Sequence, residues 1–596
     1  MEPFERHSRE RLAATPRGQL ALMAMRRSLL LAVLVPAALT SCLLRPHGER
    51  ARVPTTWRFV RVDSPVVAQH AMVSSEHPIA SQIGADIMRQ GGNAIDAAVA
   101  VGFAEAVVNP RAGNIAGGGY LLYRRADGEV FGLDYRETAP AAASRNMYLD
   151  SAGNPTEASL IGALASGVPG SVAGLFEMHR RFGRLPWKTL VEPAIRLARE
   201  GHVVDSARSA VIRLNESRLR HFPGTAALLL PGGEPLAAGT LWRQSDLART
   251  LQLIADSGAD GFYRGRTADL IVAQMRRSGG IITRADLEGY HPIWREPVRI
   301  NYRGWTVLSM PPSSSGGVTM GEILNILEGW RTLPAYGTPE LFHLEVEAMR
   351  RAFTDRNRWL GDPDFVQMPV KRLLSKGYAA ELRAGISRRR ATPSGAMPPI
   401  VEGGNTTHYC VMDPDGDAVS ITTTLNDNFG DALLVDGAGF LLNDEMDDFA
   451  AKPGTPNDFG LVQGEANAIA PGKRMLSSMT PAIVLDSAGG VAMVLGAPGG
   501  SRIITAVTQV ISNVIDHGMT MAQAVYAPRI HHQGLPDSIR WEPGGLDPGT
   551  RRTLERMGHH FFTHPGLNAV VEAIRVTPRG LEGVTDPRIP SRAAGF

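Results

Sequence analysis

Apolar residues change their spacing along this chain, and the changes divide it into parts. An unbroken apolar run occupies residues 29–39. Further on, Ile79, Ile83 and Ile87 recur at helical spacing, Gly91-Gly92 stops that helix, and Asn93 is placed to cap the next. Helical segments dominate from there to about Ala384. Residues 387–405 carry Arg388-Arg389-Arg390, prolines and Gly403-Gly404, a composition that predicts a flexible stretch. After it the period falls to two. Residues 406–425 alternate as two strand-like segments around Asp413-Pro414-Asp415-Gly416-Asp417, the signature of a β-hairpin. A strand over 491–495 and an apolar-periodic helix from near Ser501 follow. The short apolar run Gly439-Phe440-Leu441-Leu442 reads as a further strand.

The hairpin has a register that can be worked out in advance. If Met412 pairs with Ala418 across the turn, Thr406 falls opposite Thr424 with its side chain on the same face. A slip of one residue would put Leu425 there instead. A hydroxyl beside Thr406 matters because of what precedes it. Asn405-Thr406-Thr407-His408-Tyr409 has the look of a site where the chain cuts itself, leaving Thr406 as a new N-terminus. Its free α-amine, with an ordinary pKa near ~8, could then take the hydroxyl proton directly or through a water. The plainer reading is a threonine-rich strand start, since β-branched residues pack well in sheets.

Other polar groups gather around these strand ends. Asn426 follows the hairpin, and Asn443, Glu445, Asp447 and Asp448 cluster after 439–442. Pro498-Gly499-Gly500-Ser501-Arg502 stands at a strand-to-helix corner, where backbone amides can receive an oxyanion, although such a triplet also serves as a simple turn. Ser477-Ser478 adds paired hydroxyls that would otherwise read as a turn or cap. Arg136 sits beside Glu137, with which it could form a structural ion pair. His531-His532 and His559-His560 lack the spacing of a helical zinc site and are read as structural.

Ten ordered motifs, spread from about Val67 to Asp586-Pro587-Arg588, resemble the γ-glutamyltranspeptidase family of N-terminal nucleophile hydrolases. They are GGNAIDAAVA (91–100), NIAGGGY (114–120), DYRETAP (134–140), ASGVPGSVAG (165–174), PPSSSGG (311–317), NTTHY (405–409), NDEMDDF (443–449), LSSMTP (476–481), GAPGGSRI (496–503) and APRIHHQ (527–533). The resemblance implies an α+β fold, the four-layer αββα sandwich of that superfamily, built from two autoprocessed fragments. It implies cleavage between Asn405 and Thr406, Thr406 as nucleophile, Thr424 as its hydroxyl partner, and the amides of Gly499 and Gly500 as oxyanion hole. It also implies that Arg136, Ser477 and Ser478 hold a substrate α-carboxylate while Asn426, Glu445 and Asp448 hold the α-amino group, and that no cofactor or metal takes part. The donors would be glutathione and other γ-glutamyl compounds, and the acceptors water, amino acids or peptides. Two other readings stay open: a glutaryl or cephalosporin-type amidase of the same fold, and an uncleaved, non-enzymatic binding protein. Residues 452–464 resemble the family's lid loop, with Phe459 where several bacterial members carry Tyr, a change expected to loosen the lid. Cys410, on the same strand face as Thr406, reads as a small buried hydrophobe.

Composition adds limits. With 596 residues, 43% hydrophobic and 20% charged, the chain is that of a globular protein too long for one ordinary core. A formal net charge of +3 gives no case for nucleic-acid binding, and Arg388-Arg389-Arg390 reads as a solvated face. The N-terminus is different in kind. Arg26-Arg27, the apolar run 29–39 and then Leu39-Thr40-Ser41-Cys42 read as a bacterial lipoprotein signal, with lipid attached at Cys42; an ordinary secretory signal and an uncleaved anchor are the alternatives. The run is too short for a comfortable transmembrane helix. The expected organisation is a signal over 1–42, a polar tether over 43–60, a large fragment over 61–405 and a small one over 406–596, lipid-anchored in the periplasm or cell envelope. With Cys42 acylated, Cys410 has no partner for an intramolecular disulfide. Expressed in a bacterial host with a palmitate analogue, the wild type is expected to incorporate label and Cys42→Ser to incorporate none. An unlabelled wild type whose mature N-terminus is not Cys42 would replace the lipoprotein signal with an ordinary secretory one.

Overall fold

The computed structural model describes residues 53–395, 406–566 and 569–596; Cys42 with its processing motif and Asn405 lie outside them. Two seven-stranded antiparallel sheets form the centre. The first runs Ala594–Gly595, Met72–Ser75, Thr406–Met412, Ala418–Thr424, Gly118–Arg124, Val130–Asp134, Ile293–Arg295. The second runs Val66–Ala68, Gly580–Val584, Glu572–Thr577, Val491–Gly496, Ala482–Leu485, Trp305–Ser309, Val298–Tyr302. Each sheet mixes strands from both sides of the proposed cleavage point, so neither fragment contains a whole sheet.

Helices cover the outer faces, giving the four αββα layers that the resemblance implied. Pro78–Arg89 and Ala94–Val108 lie against the first sheet, and Gly316–Glu328 and Arg502–Ile515 against the second. Every residue of Ala94–Val108 is buried, as its almost uninterrupted apolar sequence requires. Asn93 caps it as expected, accepting from the Asp96 amide while the Asp96 side chain answers the Asn93 amide. Of the two neighbouring glycines, Gly91 adopts φ +92°, which ends the preceding helix.

The hairpin pairs in the register derived from the turn: Met412 opposite Ala418 and, six residues along, Thr406 opposite Thr424. Both strands are buried over their whole length, because each face meets a different layer. Tyr409, Val411, Val419 and Ile421 point into the helix layer. Cys410, Met412 and Ala418 point between the sheets, so Cys410 is a packed hydrophobe as expected. His408 shares that inter-sheet face. Its ring fits because Gly496 opposite has no Cβ to overlap it, and it hydrogen-bonds Thr422 Oγ1 at 2.8 Å. Burial lowers the His408 pKa to about 3, which keeps the imidazole neutral. Thr406 and Thr424 continue this face by period two, so their hydroxyls emerge where the inter-sheet layer ends.

Two expectations need correction. Residues 439–442 form no strand: Leu441 makes an isolated bridge to Leu434, and Gly439 takes φ +81° where a Cβ would overlap the Leu247 backbone. The run is apolar because Phe440 and Leu442 fill the helix-layer core. The proposed tether over 43–60 is docked at its far end. Trp57 is 1% exposed and donates its indole N–H to Tyr526 O at 2.8 Å, anchoring the chain there.

A buried ionic lock joins two of the distant motifs. Asp586 accepts from Arg529 at 2.8 Å, from Arg588 at 2.9 Å and from the Val571 amide at 2.9 Å. Glu542 accepts two further bonds from Arg588, at 2.7 and 2.6 Å. Arg529 also donates to Ala569 O at 3.1 Å, and the neighbouring Val570 amide reaches Pro498 O at 3.3 Å. The lock therefore supports the loop beside Gly499. Burial by itself would raise the Asp586 pKa, but Arg588 and Arg529 outweigh it and hold the carboxyl below its usual range. Such a group contributes stability that is present above the unfolded-state carboxylate pKa of ~3.9 and is lost as pH falls toward its folded value. Asp586→Asn is expected to cost about 3–5 kcal/mol at neutral pH, because it leaves two buried guanidiniums without their shared partner. Denaturant titration checks this, and the variant should also show a shallower loss of stability below about pH 4 than the wild type.

Candidate active site

Thr406 opens one strand and Thr424 closes the next, so the pairing that builds the sheet also sets their side chains together. Thr406 Oγ1 donates to Thr424 Oγ1 at 3.5 Å, and Thr424 Oγ1 accepts from the Asn426 amide at 2.8 Å. Asn426 has φ +82°, a left-handed conformation that asparagine tolerates better than most residues. Its side chain donates to Asp444 O at 3.1 Å, which turns the chain sharply away from the strand. Asn114 holds the same strand end from the other side, donating to Thr424 O at 2.9 Å and accepting from the Gly117 amide at 2.9 Å. Gly117 has to be glycine, since a Cβ there would overlap Thr424 O.

A small pocket opens at this point, and Arg136, Thr406, Thr424, Asn426, Glu445, Asp448, Ser477, Ser478 and Gly500 line it. Glu445 and Asp448 stand on the short 3-10 helix Glu445–Asp448, and the other seven come from loops and strand ends. The Arg136 guanidinium is fully buried and pairs with Glu445 through one terminal nitrogen and with Asp448 through the other. Its contact with Glu137, the partner that adjacency suggested, is the longer one at 3.5 Å. Burial pushes Glu445 well above its usual pKa against the pull of Arg136, and Asp448 moves in the same direction for the same reason. Glu137 is pushed up to about 8, so it is neutral over much of the physiological range.

Gly499 and Gly500 stand at the corner between Val491–Gly496 and Arg502–Ile515. Their φ values of +132° and +59° turn the chain into the helix, whose first-turn amides, Arg502 and Ile503, bond back to their carbonyls at 3.2 and 3.1 Å. Gly500 reaches the pocket, whereas Gly499 sits beneath Ala569. The Phe459 ring lies against Gly500 so closely that a Cβ would overlap it. Lid residues 452–464 are held down without a phenol hydroxyl: Gln533 donates to Phe459 O at 2.9 Å, Asp447 accepts from the Asp458 amide at 2.9 Å, and Gln463 donates to Asp448 O at 3.0 Å.

Of the five polar residues that the sequence clusters near the strand ends, three line the pocket. Asn443 and Asp447 do not. Asn443 braces neighbouring loops, donating to Ala116 O and Gly167 O at 2.9 Å each, and Asp447 accepts from Ser159 Oγ at 2.8 Å. The sequence reading missed Arg356, whose guanidinium reaches Ser478 Oγ at 3.0 Å. It lies on a helix rich in arginines, and no spacing distinguishes it from Arg350, Arg351 or Arg358.

The histidines take structural positions. His531 bonds Thr505 Oγ1 at 2.9 Å, and His343 and His559 share a hydrogen bond of 2.8 Å. His343, His559 and Glu347 come within 4.8 Å of one another, the arrangement of a metal-binding group. The donor set does not suit a cation, however. Glu347 already accepts from Arg351 at 2.7 Å and from Thr392 at 2.9 and 2.6 Å, with the Arg350 guanidinium 3.4 Å away.

The chain as a whole is similar to known proteins. The family model for gamma-glutamyltranspeptidase matches residues 80–596. A glutathione hydrolase proenzyme of Pseudomonas sp. (strain A14) is 49% identical over 84% of this chain and 88% of its own length. The glutathione hydrolase proenzyme of Escherichia coli (strain K12) is 44% identical over 89% and 93%. Among solved structures, the cephalosporin acylase from Bacillus halodurans superposes with a TM-score of 0.80 at 28% identity, covering 91% of this chain and 99% of that one. With the paired threonines, the glycine corner and the buried guanidinium on one αββα frame, this chain belongs to the γ-glutamyltranspeptidase family.

Proposed function

We propose that the chain is a precursor that breaks its own Asn405–Thr406 bond and then acts as a γ-glutamyltransferase and glutathione hydrolase. The observation that carries this reading is the pairing of one fork-shaped cation, Arg136, with two carboxylates, Glu445 and Asp448, in the pocket that holds Thr406 and Thr424. A zwitterionic amino-acid head suits such a site. Its carboxylate takes Arg136, helped by Ser477 and Ser478, and its ammonium takes the released Glu445 and Asp448, with Asn426 beside them. The exchange leaves the buried charges balanced. A glutaryl head, as in the acylase reading, supplies only the carboxylate and strands the acidic pair without a partner.

The chemistry follows from the position of Thr406. Once it is N-terminal, its amine takes the proton from Oγ1 as the oxygen attacks the γ-amide carbon of the donor. The carbonyl electron pair moves onto oxygen, which the Gly499 and Gly500 amides receive. When the C–N bond breaks, the amine's proton passes to the departing nitrogen, so that glutathione releases cysteinylglycine and leaves a γ-glutamyl ester on Thr406. Water, or the amine of an amino acid or peptide, attacks that ester, its proton passing back to the threonine oxygen. Lipid attachment at Cys42 in the cell envelope is part of the same proposal; it rests on the 39–42 motif.

Four measurements test it. Thr406→Ala should remain one chain while the wild type splits, and N-terminal sequencing of the smaller fragment should begin at Thr406; any other start overturns the nucleophile assignment. Arg136→Lys keeps the charge but loses the fork, so kcat/KM for γ-glutamyl-p-nitroanilide should fall by a factor corresponding to about 2 kcal/mol. Asp448→Asn should weaken that donor far more than the glutaryl analogue, and an equal loss on both would show that Asp448 does not read the α-amino group. Faster p-nitroaniline release with glycylglycine present would mark transfer alongside hydrolysis.

A further inference from the structure

We propose that Arg356 is a positioning residue of the donor-carboxylate subsite, turning the Ser478 hydroxyl into a donor aimed at the substrate and placing a second positive charge behind it. The inference rests on the reading of the pocket given above and adds a residue from outside its lining.

Arg356 lies in the last turn of Pro339–Trp359 and is 1% exposed. Its Nε donates to Ser315 Oγ at 2.9 Å, one terminal nitrogen to Asn357 Oδ1 at 2.9 Å and Gln463 Oε1 at 3.3 Å, and the other to Ser478 Oγ at 3.0 Å. All four acceptors are neutral, and among the described residues no carboxylate reaches Arg356 at ion-pair distance. A buried guanidinium balanced only by dipoles is costly to hold and favours an anion arriving nearby. Asp448 is the acid whose field it feels, but Asp448 is committed to Arg136. Burial draws the Arg356 pKa down to about 10, which leaves it charged at neutral pH.

The hydrogen bonds also settle where protons point. A guanidinium can only donate, so Ser478 Oγ accepts from Arg356 and keeps its own proton for the pocket it lines. Ser477 Oγ accepts from the Met479 amide at 3.1 Å and is left in the same condition. Ser315, which accepts from Arg356 Nε, donates onward to Ser477 O at 2.6 Å, so one guanidinium steadies both serines. Through Gln463, whose amide donates to Asp448 O, it also reaches the end of the lid loop. Two hydroxyl donors with a cation behind them present what a carboxylate requires.

The test uses the processed enzyme and γ-glutamyl-p-nitroanilide. Arg356→Gln should raise KM about 10- to 100-fold, the range for a lost charge-assisted hydrogen bond, with kcat held within about threefold. Ser478→Ala should raise KM similarly, and combining it with Arg356→Gln should raise KM by clearly less than the product of the two single effects, since part of what the guanidinium does runs through that hydroxyl. A loss of kcat at unchanged KM, or full additivity of the two substitutions, overturns the proposal. Should Arg356→Gln fail to process, Arg356→Lys carries the test, with KM expected to rise about fivefold at retained kcat, and an unchanged KM counting against the role. If the wild type itself does not turn over this donor, it is the γ-glutamyl reading that fails.

Discussion

Pairing of Thr406–Met412 with Ala418–Thr424, inside a sheet that is covered on both faces, is the constraint on which the site depends. A strand buried on both faces cannot slide, because a slip of one residue would send Tyr409 and Val411 into the narrow inter-sheet layer and His408 and Cys410 into the helix layer. Met72–Ser75 pairs with Tyr409 to Met412 on the opposite edge and adds a second lock. The first residue of such a strand is held as firmly as the core itself. Cleavage before Thr406 would free an amine at a fixed place while leaving the ladder bonds downstream intact.

Around that point the structure places charge where burial makes it expensive, and balances it. Arg136 faces Glu445 and Asp448, and burial raises the pKa of these two carboxyls and of the neighbouring Glu137, the last to about 8, against the pull of the guanidinium. Arg356 remains with neutral partners only. A site balanced in this way is poised to exchange ion pairs with a zwitterion and resists a ligand carrying one charge alone. Its specificity on this account comes from the cost of leaving a buried group unpaired as much as from any attraction.

The glycine corner depends on residues far from it in sequence. Asp586, Arg588, Arg529 and Glu542 form a buried lock that grips the segment next to Gly499, while Phe459 from the lid lies over Gly500. Two motifs of the C-terminal region that carry no reactive group are thereby tied to the geometry of one loop. The short covering loop packs on glycine because no other residue leaves room for the ring, which links lid position to the corner's shape.

The sequence by itself determined what local chemistry and periodicity can express. Asp413 to Asp417 pins a turn, and with alternating apolar positions on either side the Thr406–Thr424 register followed by counting. Asn93 as a cap and the glycine stop at 91–92 were legible for the same reason: each is satisfied by neighbours within a few residues. Burial of Cys410 followed from its type and strand position. What only the tertiary structure decided is convergence. Residues 439–442 are as apolar as a strand yet find no ladder, since the core they fill is supplied by helices. Asn443 and Asp447 differ from Asn426, Glu445 and Asp448 only in which way a crowded loop turns them. Arg356 is one arginine among several on its helix, and the groups that set it apart, Ser315, Gln463 and Ser478, lie 41, 107 and 122 residues away. Spacing along a chain carries no information about contacts at that range; they are set when the two sheets close on each other.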